Sequence, residues 1–380
     1  MGGGKGIRFS TVAANVSRLV VAVCFVFSGF VKAVDPIGTQ IKFQDYLEVA
    51  GAGPYVPDSL TLLAACVLAG LEFLLGIYLL LGVYRKGTAV VLLVMMSLFT
   101  PLTLWLAISN PVSDCGCFGD ALVLTNWQTF FKNVFLLCLC IQLFVFRDRM
   151  VPLVGDGCSW AVTVLTAVLV SGFMCFNIRN LPVFDFRPYK VGTDLRASVL
   201  DGRDNEFSEF CLLDPDFSDV TGDILDSRGT TFLLVSPHLD DATTSAVDRI
   251  NDLYGCCSDS LCSFYCVTAS GADEVERWRN ATYAEYGFLY ADDILLKTMI
   301  RSNPGVVVVH DGRIAAKWSS AGIPQRKESG EYIVKLQETG ADTGNGRRGA
   351  MLVACIFVLP YLLLVLTGGR ARHDENRNKI

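Results

Sequence analysis

The chain has 380 residues, 52% of them hydrophobic and 18% charged, with a formal net charge of -6. With its positive mean hydropathy, that balance excludes a soluble globule of this length and points to a membrane protein carrying a soluble part. The fourteen cysteines suggest an extracytoplasmic disulfide framework. Yet Cys24, Cys66, Cys138, Cys140, Cys158, Cys175 and Cys355 fall in hydrophobic runs, where cysteine is more often a small packing residue.

The first run, about 15–34, follows Lys5, Arg8 and Arg18. It has the outline of a signal peptide, with Val31-Lys32-Ala33 as a poor cleavage site, but the spans that follow need a membrane partner and favour a first transmembrane helix. The second run, about 60–83, is closed by Arg85-Lys86. Ala65, Ala69, Glu72 and Gly76 share one helical face, so small residues and a carboxylate meet a neighbouring helix. An ionisable group at membrane depth is costly. Glu72 is therefore either a proton-handling or quinone-contacting group, or a buried carboxylate that fixes helix packing. The third run, about 88–108, is interrupted by Pro101, and the fourth, about 127–146, is closed by Arg147 and Arg149. A fifth, about 162–176, and a sixth, about 350–367, are short against the ~20 residues that cross a bilayer. About six spans are expected.

Between the third and fourth runs lies Asn110-Pro111-Val112-Ser113-Asp114-Cys115-Gly116-Cys117-Phe118-Gly119-Asp120. Gly116 and Gly119 let this loop fold tightly enough to aim both thiols at one space. Thr125-Asn126-Trp127-Gln128 is a capping box opening the next helix, whose positive end, with Lys132 on the same face as Gln128, favours thiolate. Asp114 and Asp120 oppose this. The pair is read as a redox site, because a Cys-x-Cys disulfide closes a small strained ring and is easily reduced, against a purely structural disulfide. No metal is expected, since His238, His310 and His373 all lie far off in sequence.

The basic residues at the N-terminus, Arg85-Lys86, Arg147/Arg149 and Arg370, Arg372, Arg377 and Lys379 fall on one side if the spans alternate. That side should be cytoplasmic, with both termini on it. The Cys-x-Cys loop, the loop 35–58 and everything from about 177 to 348 then face an oxidising compartment. That last segment is acidic, which argues against nucleic-acid binding. Its pattern is α/β: strands over 231–236 and 263–268, helices near 242–253 and 273–284, and a hairpin of 304–310 and 313–318 about Asp311-Gly312. Residues 341–348 form a polar linker to the last span. Cys256, Cys257 and Cys262 lie in a loop, with a local structural disulfide, Cys257 to Cys262 with Cys256 or Cys211 as further partners, expected over a substrate-exchanging pair.

Ser28-Gly29-Phe30-Val31-Lys32 with Asp35-Pro36-Gly38, Glu72, and Asp114-Cys115-Gly116-Cys117-Phe118-Gly119 resemble the DoxX/MauE family of four-helix membrane proteins over about 10–147. MauE-like proteins are similar to vitamin K epoxide reductase and quinone-linked disulfide generators, whose outward cysteines pass electrons to a quinone in the bundle. The resemblance implies such roles as a class, from methylamine utilisation to thiosulfate:quinone oxidoreduction. Those reductases usually carry a Cys-x-x-Cys near the quinone as well; Cys138 and Cys140 are the nearest substitute here. The outward segment, 178–340, looks like a thioredoxin fold of the TlpA/peroxiredoxin-like sort, with Pro304 where the family's cis-proline stands. Its Cys-x-x-Cys is replaced by Ser236-Pro237-His238-Leu239-Asp240-Asp241. Asn280-Ala281-Thr282 fits a glycosylation sequon but is discounted, the resemblance being bacterial.

The expected protein is thus a four-helix membrane bundle (10–147), a fifth helix (150–177), a periplasmic thioredoxin-like domain (178–340) and a last helix (350–368), in a bacterial inner membrane. Cys115 and Cys117, with Glu72 and Lys132, would pass electrons from a periplasmic thiol client to a quinone. The rival expectation is a non-catalytic scaffold with structural cysteines. A transporter has only Glu72 to recommend it.

Overall fold

The computed structural model describes residues 3–112, 115–202, 207–226, 229–260, 262–339, 349, 351 and 353–366. The chain divides into two compact units, Met1–Asn177 with Met351–Ile380, and Ile178–Ala350.

The first unit is helical: α1 (Gly3–Val34), α2 (Pro36–Val49), α3 (Asp58–Leu81), α4 (Arg85–Ser109), α5 (Asn126–Val145) and α6 (Ser159–Arg179). Among the described residues, five helices are long and apolar enough to cross a bilayer: α1 from Ser10, α3, α4, α5 and α6. α2 is the exception, a polar helix started by Asp35, whose Oδ1 accepts from the Gly38 N–H at 2.8 Å. The sixth expected span is represented by a shorter apolar helix, Val353–Leu366, below the ~20 residues a crossing needs. The expected linker 341–348, the C-terminal basic tail and Asp114 lie outside the described residues.

Pro101 does not interrupt the third span. α4 runs unbroken through it, and the hydroxyls of Thr100 and Thr103 bond the carbonyls of Met96 (2.7 Å) and Phe99 (3.0 Å) around the gap. Two glycines set the packing of α1 on α3. A Cβ on Gly29 would meet the Phe73 backbone and stand 2.8 Å from the Ala69 carbonyl, and one on Gly76 would stand 2.6 Å from the Val26 nitrogen. The small face of α3 read from the sequence is therefore the one against α1, with Ala65, Ala69, Glu72 and Gly76 buried. At one end of the bundle, Arg18 donates to the Val151 carbonyl, Arg85 to that of Met150 (2.8 Å), and Lys86 pairs with Asp148 at 3.2 Å. The Cys-x-Cys loop, joining the far ends of α4 and α5, closes the other end.

The second unit carries a five-stranded mixed sheet in the order β3-β2-β1-β4-β5. The strands are β1 (Thr230–Val235), β2 (Ser263–Thr268), β3 (Gly287–Tyr290), β4 (Gly305–His310) and β5 (Arg313–Ser319). β1, β2 and β3 run parallel; β4 is antiparallel to β1 and β5 to β4. Every residue of β1 is buried, since apolar layers cover both faces of the sheet. The helices of this unit are α7 (Thr221–Asp226), α8 (Val247–Asp259), α9 (Ala272–Thr282), α10 (Asp293–Met299) and α11 (Arg326–Thr339).

α2, inside the expected loop 35–58, and α7, β3, α10 and α11 were not expected from the sequence. The helix expected from residue 242 begins instead as a 3-10 turn at Thr244 and continues as α8. It also runs through Cys256 and Cys257, which are therefore helical and buried beside Ile250 and Leu253, not in a loop. Cys257 is buried in that helix, and the Cys262 N–H bonds its carbonyl at 3.0 Å. The β4–β5 turn has Asp311 and Gly312 at φ +47° and +76°, as a tight Asp-Gly hairpin requires. The Asn303–Pro304 bond is cis. Asn303 bonds Ser236 Oγ at 2.6 Å and the His238 carbonyl at 2.8 Å, so the Pro304 loop faces the Ser236–His238 turn.

Candidate functional site

Helical spacing places Cys24, Ser28 and Lys32 four residues apart on one stripe of α1, facing the cavity described below. The close α1–α3 approach at Gly29 and Gly76 brings this stripe against Glu72. Lys32 Nζ lies 2.8 Å from Glu72 Oε2, with side-chain exposures of 5% and 8%. The ammonium's other two hydrogen bonds go to Ser28 Oγ and the Cys117 carbonyl, both at 2.7 Å. Ser28 Oγ in turn lies 2.7 Å from both Glu72 Oε2 and the Cys117 carbonyl, donating to one at a time. A buried ion pair is thereby tied directly to the backbone of a candidate redox cysteine.

The turn above it is tight. Gly116 and Gly119 sit at φ +64° and +51°, and the Gly119 N–H bonds the Gly116 carbonyl at 3.1 Å. The Lys42 stem from α2 crosses Gly116 so closely that a Cβ there would stand 3.2 Å from Lys42 Cγ. Cys115 and Cys117 sulfurs are 2.6 Å apart. The two thiols are electrostatically unequal. Hydrogen bonding from the Cys117 thiol outweighs burial and brings Cys115 down to about 6, helped by Thr129 and by the charge of Lys132. That same bond and burial push Cys117 well above the ordinary thiol range. At neutral pH the reduced pair is one thiolate and one thiol.

Lys132 rises from α5, whose start carries the expected Thr125–Gln128 capping box, and its Nζ sits 4.3 Å from the centre of the Phe118 ring. Asn126 ties the loop to α5 by donating to Asn110 Oδ1 (2.8 Å) and the Val112 carbonyl (2.9 Å).

Beneath the turn is a cavity of about 120 Å³, lined by the two thiols, Glu72, Lys132, Phe99 and Leu136 among others. A cavity of about 150 Å³ accepts benzene, so this one is of the size for a single ring. Its walls are mostly apolar, with Lys32, Lys42, Lys132 and Glu72 as charged groups and Asn133, held by Thr103 at 3.2 Å, among the polar ones. Such a lining fits the ring of a quinone-class acceptor.

Cys115, Cys117, Glu72 and Lys132 are therefore brought to one place. Cys257, Cys262 and Pro304 belong to the second unit. Cys138 is exposed and Cys140 is buried in the helical core, and neither lines the cavity. Lys32, Ser28 and Cys24 were missed as members of the site. One signal for Lys32 was present: opposite charges in two different spans, Lys32 and Glu72, are candidates to pair. Among the described residues no group of acidic, histidine or cysteine side chains is arranged to hold a metal ion.

Residues 10–146 match the model of a family described as methylamine utilisation protein MauE. All the site residues lie inside that match. No curated protein and no solved structure matches the chain significantly. The five spans make this a multi-pass membrane protein, similar over residues 10–146 to that family.

Proposed function

We propose that the bundle is a thiol–disulfide redox centre that moves electrons from a client dithiol to a quinone-class acceptor. The observation that carries this reading is the Cys115–Cys117 sulfur pair, 2.6 Å apart at the mouth of a ring-sized apolar cavity. A client dithiol exchanges with the Cys115–Cys117 disulfide, leaving a client disulfide and the reduced pair. Cys115, the sulfur with the depressed pKa, is the better leaving group in that exchange and carries the negative charge afterwards. Reoxidation of the thiolate–thiol pair returns the disulfide and releases two electrons and one proton; with the second proton, given up by the client dithiol in the exchange, these convert a quinone to its hydroquinone. The acceptor supplies only that two-electron sink. The chain supplies the dithiol, a mostly apolar cavity wall, and Lys132 and Glu72 in the same lining as the sulfurs.

The site end of the bundle is the periplasmic one, because the opposite end gathers Arg18, Arg85, Lys86, Arg147 and Arg149. The membrane is then a bacterial inner membrane with the N-terminus cytoplasmic. The second unit follows the fifth span and is periplasmic by alternation of the spans. Its mixed sheet, with a cis-Pro304 loop facing the Ser236–His238 turn, is thioredoxin-like without the thiols, and it presents the client.

The test is the redox state of Cys115 and Cys117 in membranes, read by differential alkylation and mass spectrometry with and without quinone depletion. Accumulation of the reduced pair on depletion is the expected result. A pair fixed in one state throughout would instead support the rival reading, a scaffold whose Cys117 backbone is merely anchored by Lys32 and Ser28.

A further inference from the structure

The Lys32–Glu72 pair stands in an unusual relation to the thiols. Its ammonium has all three hydrogen bonds committed, to Glu72, to Ser28 and to the carbonyl of Cys117 itself. Both charged side chains are nearly inaccessible to water, so their fields at the turn are little screened. The redox step changes the charge beside them. At neutral pH, reduction of the disulfide takes two electrons and one proton and leaves Cys115 as thiolate and Cys117 as thiol. The oxidised turn is neutral and the reduced turn is anionic.

A cation fixed at the Cys117 backbone favours the reduced turn, and an anion at the same place favours the oxidised one. Among the described residues, the other charges lining the cavity are the lysines Lys132 and Lys42, and Glu72 is the acidic side chain of that lining. We propose that Lys32 and Glu72 act as opposed electrostatic handles on the Cys115–Cys117 couple, Lys32 raising its midpoint potential and Glu72 lowering it. Ser28 completes the arrangement by joining both side chains to the Cys117 carbonyl. Lys32 and Glu72 are tuning groups in this role; neither needs to touch the sulfurs. The inference rests on the redox reading of the thiols.

It is tested on the full-length protein in nanodiscs, equilibrated in graded glutathione buffers and quenched by alkylation. Glu72→Gln keeps a hydrogen-bonding side chain and removes the negative charge. It is expected to shift the equilibrium toward the dithiol by about tenfold or more, ~30 mV for a two-electron couple. Lys32→Met is expected to shift it toward the disulfide. The double variant should lie between the two, and Ser28→Ala, which keeps both charges, should shift it less than either. Single variants that move the couple in the same direction, or not at all, overturn the inference. If Lys32→Met does not fold, a double variant no less reduced than Glu72→Gln overturns it equally. The reading of function fails separately. A wild-type pair with no reversible disulfide sinks both, whereas a reversible couple indifferent to quinone in membranes sinks the electron path and leaves the tuning standing.

Discussion

Lys32 on α1 and Glu72 on α3 meet at 2.8 Å inside the bundle, forty residues apart in sequence and almost without solvent contact. Such a pair is weak evidence for stability while intact and costly when halved, because the surviving charge is left buried alone. Replacing Glu72 by Leu should therefore destabilise the bundle by about 3–5 kcal/mol. The Lys32→Met/Glu72→Leu double variant should recover most of that loss. Unfolding of the detergent-solubilised protein checks both, and a double variant as damaged as Glu72→Leu would show that the hydrogen bonds matter more than the charge.

The inequality of the two thiols should be visible as pH dependence. With Cys115 near 6, the iodoacetamide rate of the reduced protein should rise between about pH 5 and 7 and then level off, with the label on Cys115. Cys117, held up by burial and by its bond to Cys115, should label only at much higher pH. Cys117→Ser replaces the thiol donor and Lys132→Met removes a nearby positive charge. The second change should move the Cys115 profile to higher pH, since it withdraws an interaction that favours the thiolate. An unmoved profile would take Lys132 out of the site.

The spans were legible because each is a long apolar run closed by charges, and the small face of α3 was legible from its spacing. The Cys-x-Cys loop announced itself by composition. Lys32 was passed over because in a linear reading it sits near the end of the first run, where a basic residue is unremarkable. Only the close approach of two helices turns it into the partner of Glu72. In the second unit the long valine-rich strands and the Asp311-Gly312 turn were readable, whereas β3 has four residues and α10 seven, too few for a period to show. α11 was lost for a different reason: it is polar over most of its length, with Ile333 as its fully buried apolar contact to the core.

Helix approach makes the site, so glycine should control it. At Gly29 any Cβ collides with the Phe73 backbone and the Ala69 carbonyl, neither of which can rotate away. Gly29→Val should force α1 from α3, separate Lys32 from Glu72 and loosen the Cys117 carbonyl. The expected result is a loss of about 1–3 kcal/mol, the usual cost of overpacking, or more. Cys117 should become labelled at neutral pH. Gly70→Ala, on α3, is the control, since the nearest atom to a Cβ there is Met174 Cε at 4.0 Å. Equal damage from both would mean that helix spacing is not what places the pair.

The second unit holds its own buried charge cluster, with its own consequence for pH. Lys317 Nζ lies 2.6 Å from Asp185 Oδ2, and Arg187 Nε 2.9 Å from Asp185 Oδ1, so two buried cations share one carboxylate. Burial first, and then Arg187, bring Lys317 down to about 8 against the pull of Asp185. An unfolded lysine titrates near ~10.4. Between those values the unfolded chain binds more protons than the folded one, so this group's stabilisation is complete above the unfolded value and is lost as pH falls toward 8. The unit should therefore gain stability from pH 8 to 10 relative to Lys317→Met, which lacks the group. Asp185→Asn should cost about 3–5 kcal/mol by leaving both cations unpaired. Urea titrations of the full chain followed by tryptophan fluorescence test this, because Trp318 and Trp278 report on the sheet while Trp105, Trp127 and Trp160 lie in the membrane helices. If wild type and Lys317→Met change in parallel with pH, Lys317 is not titrating in that window.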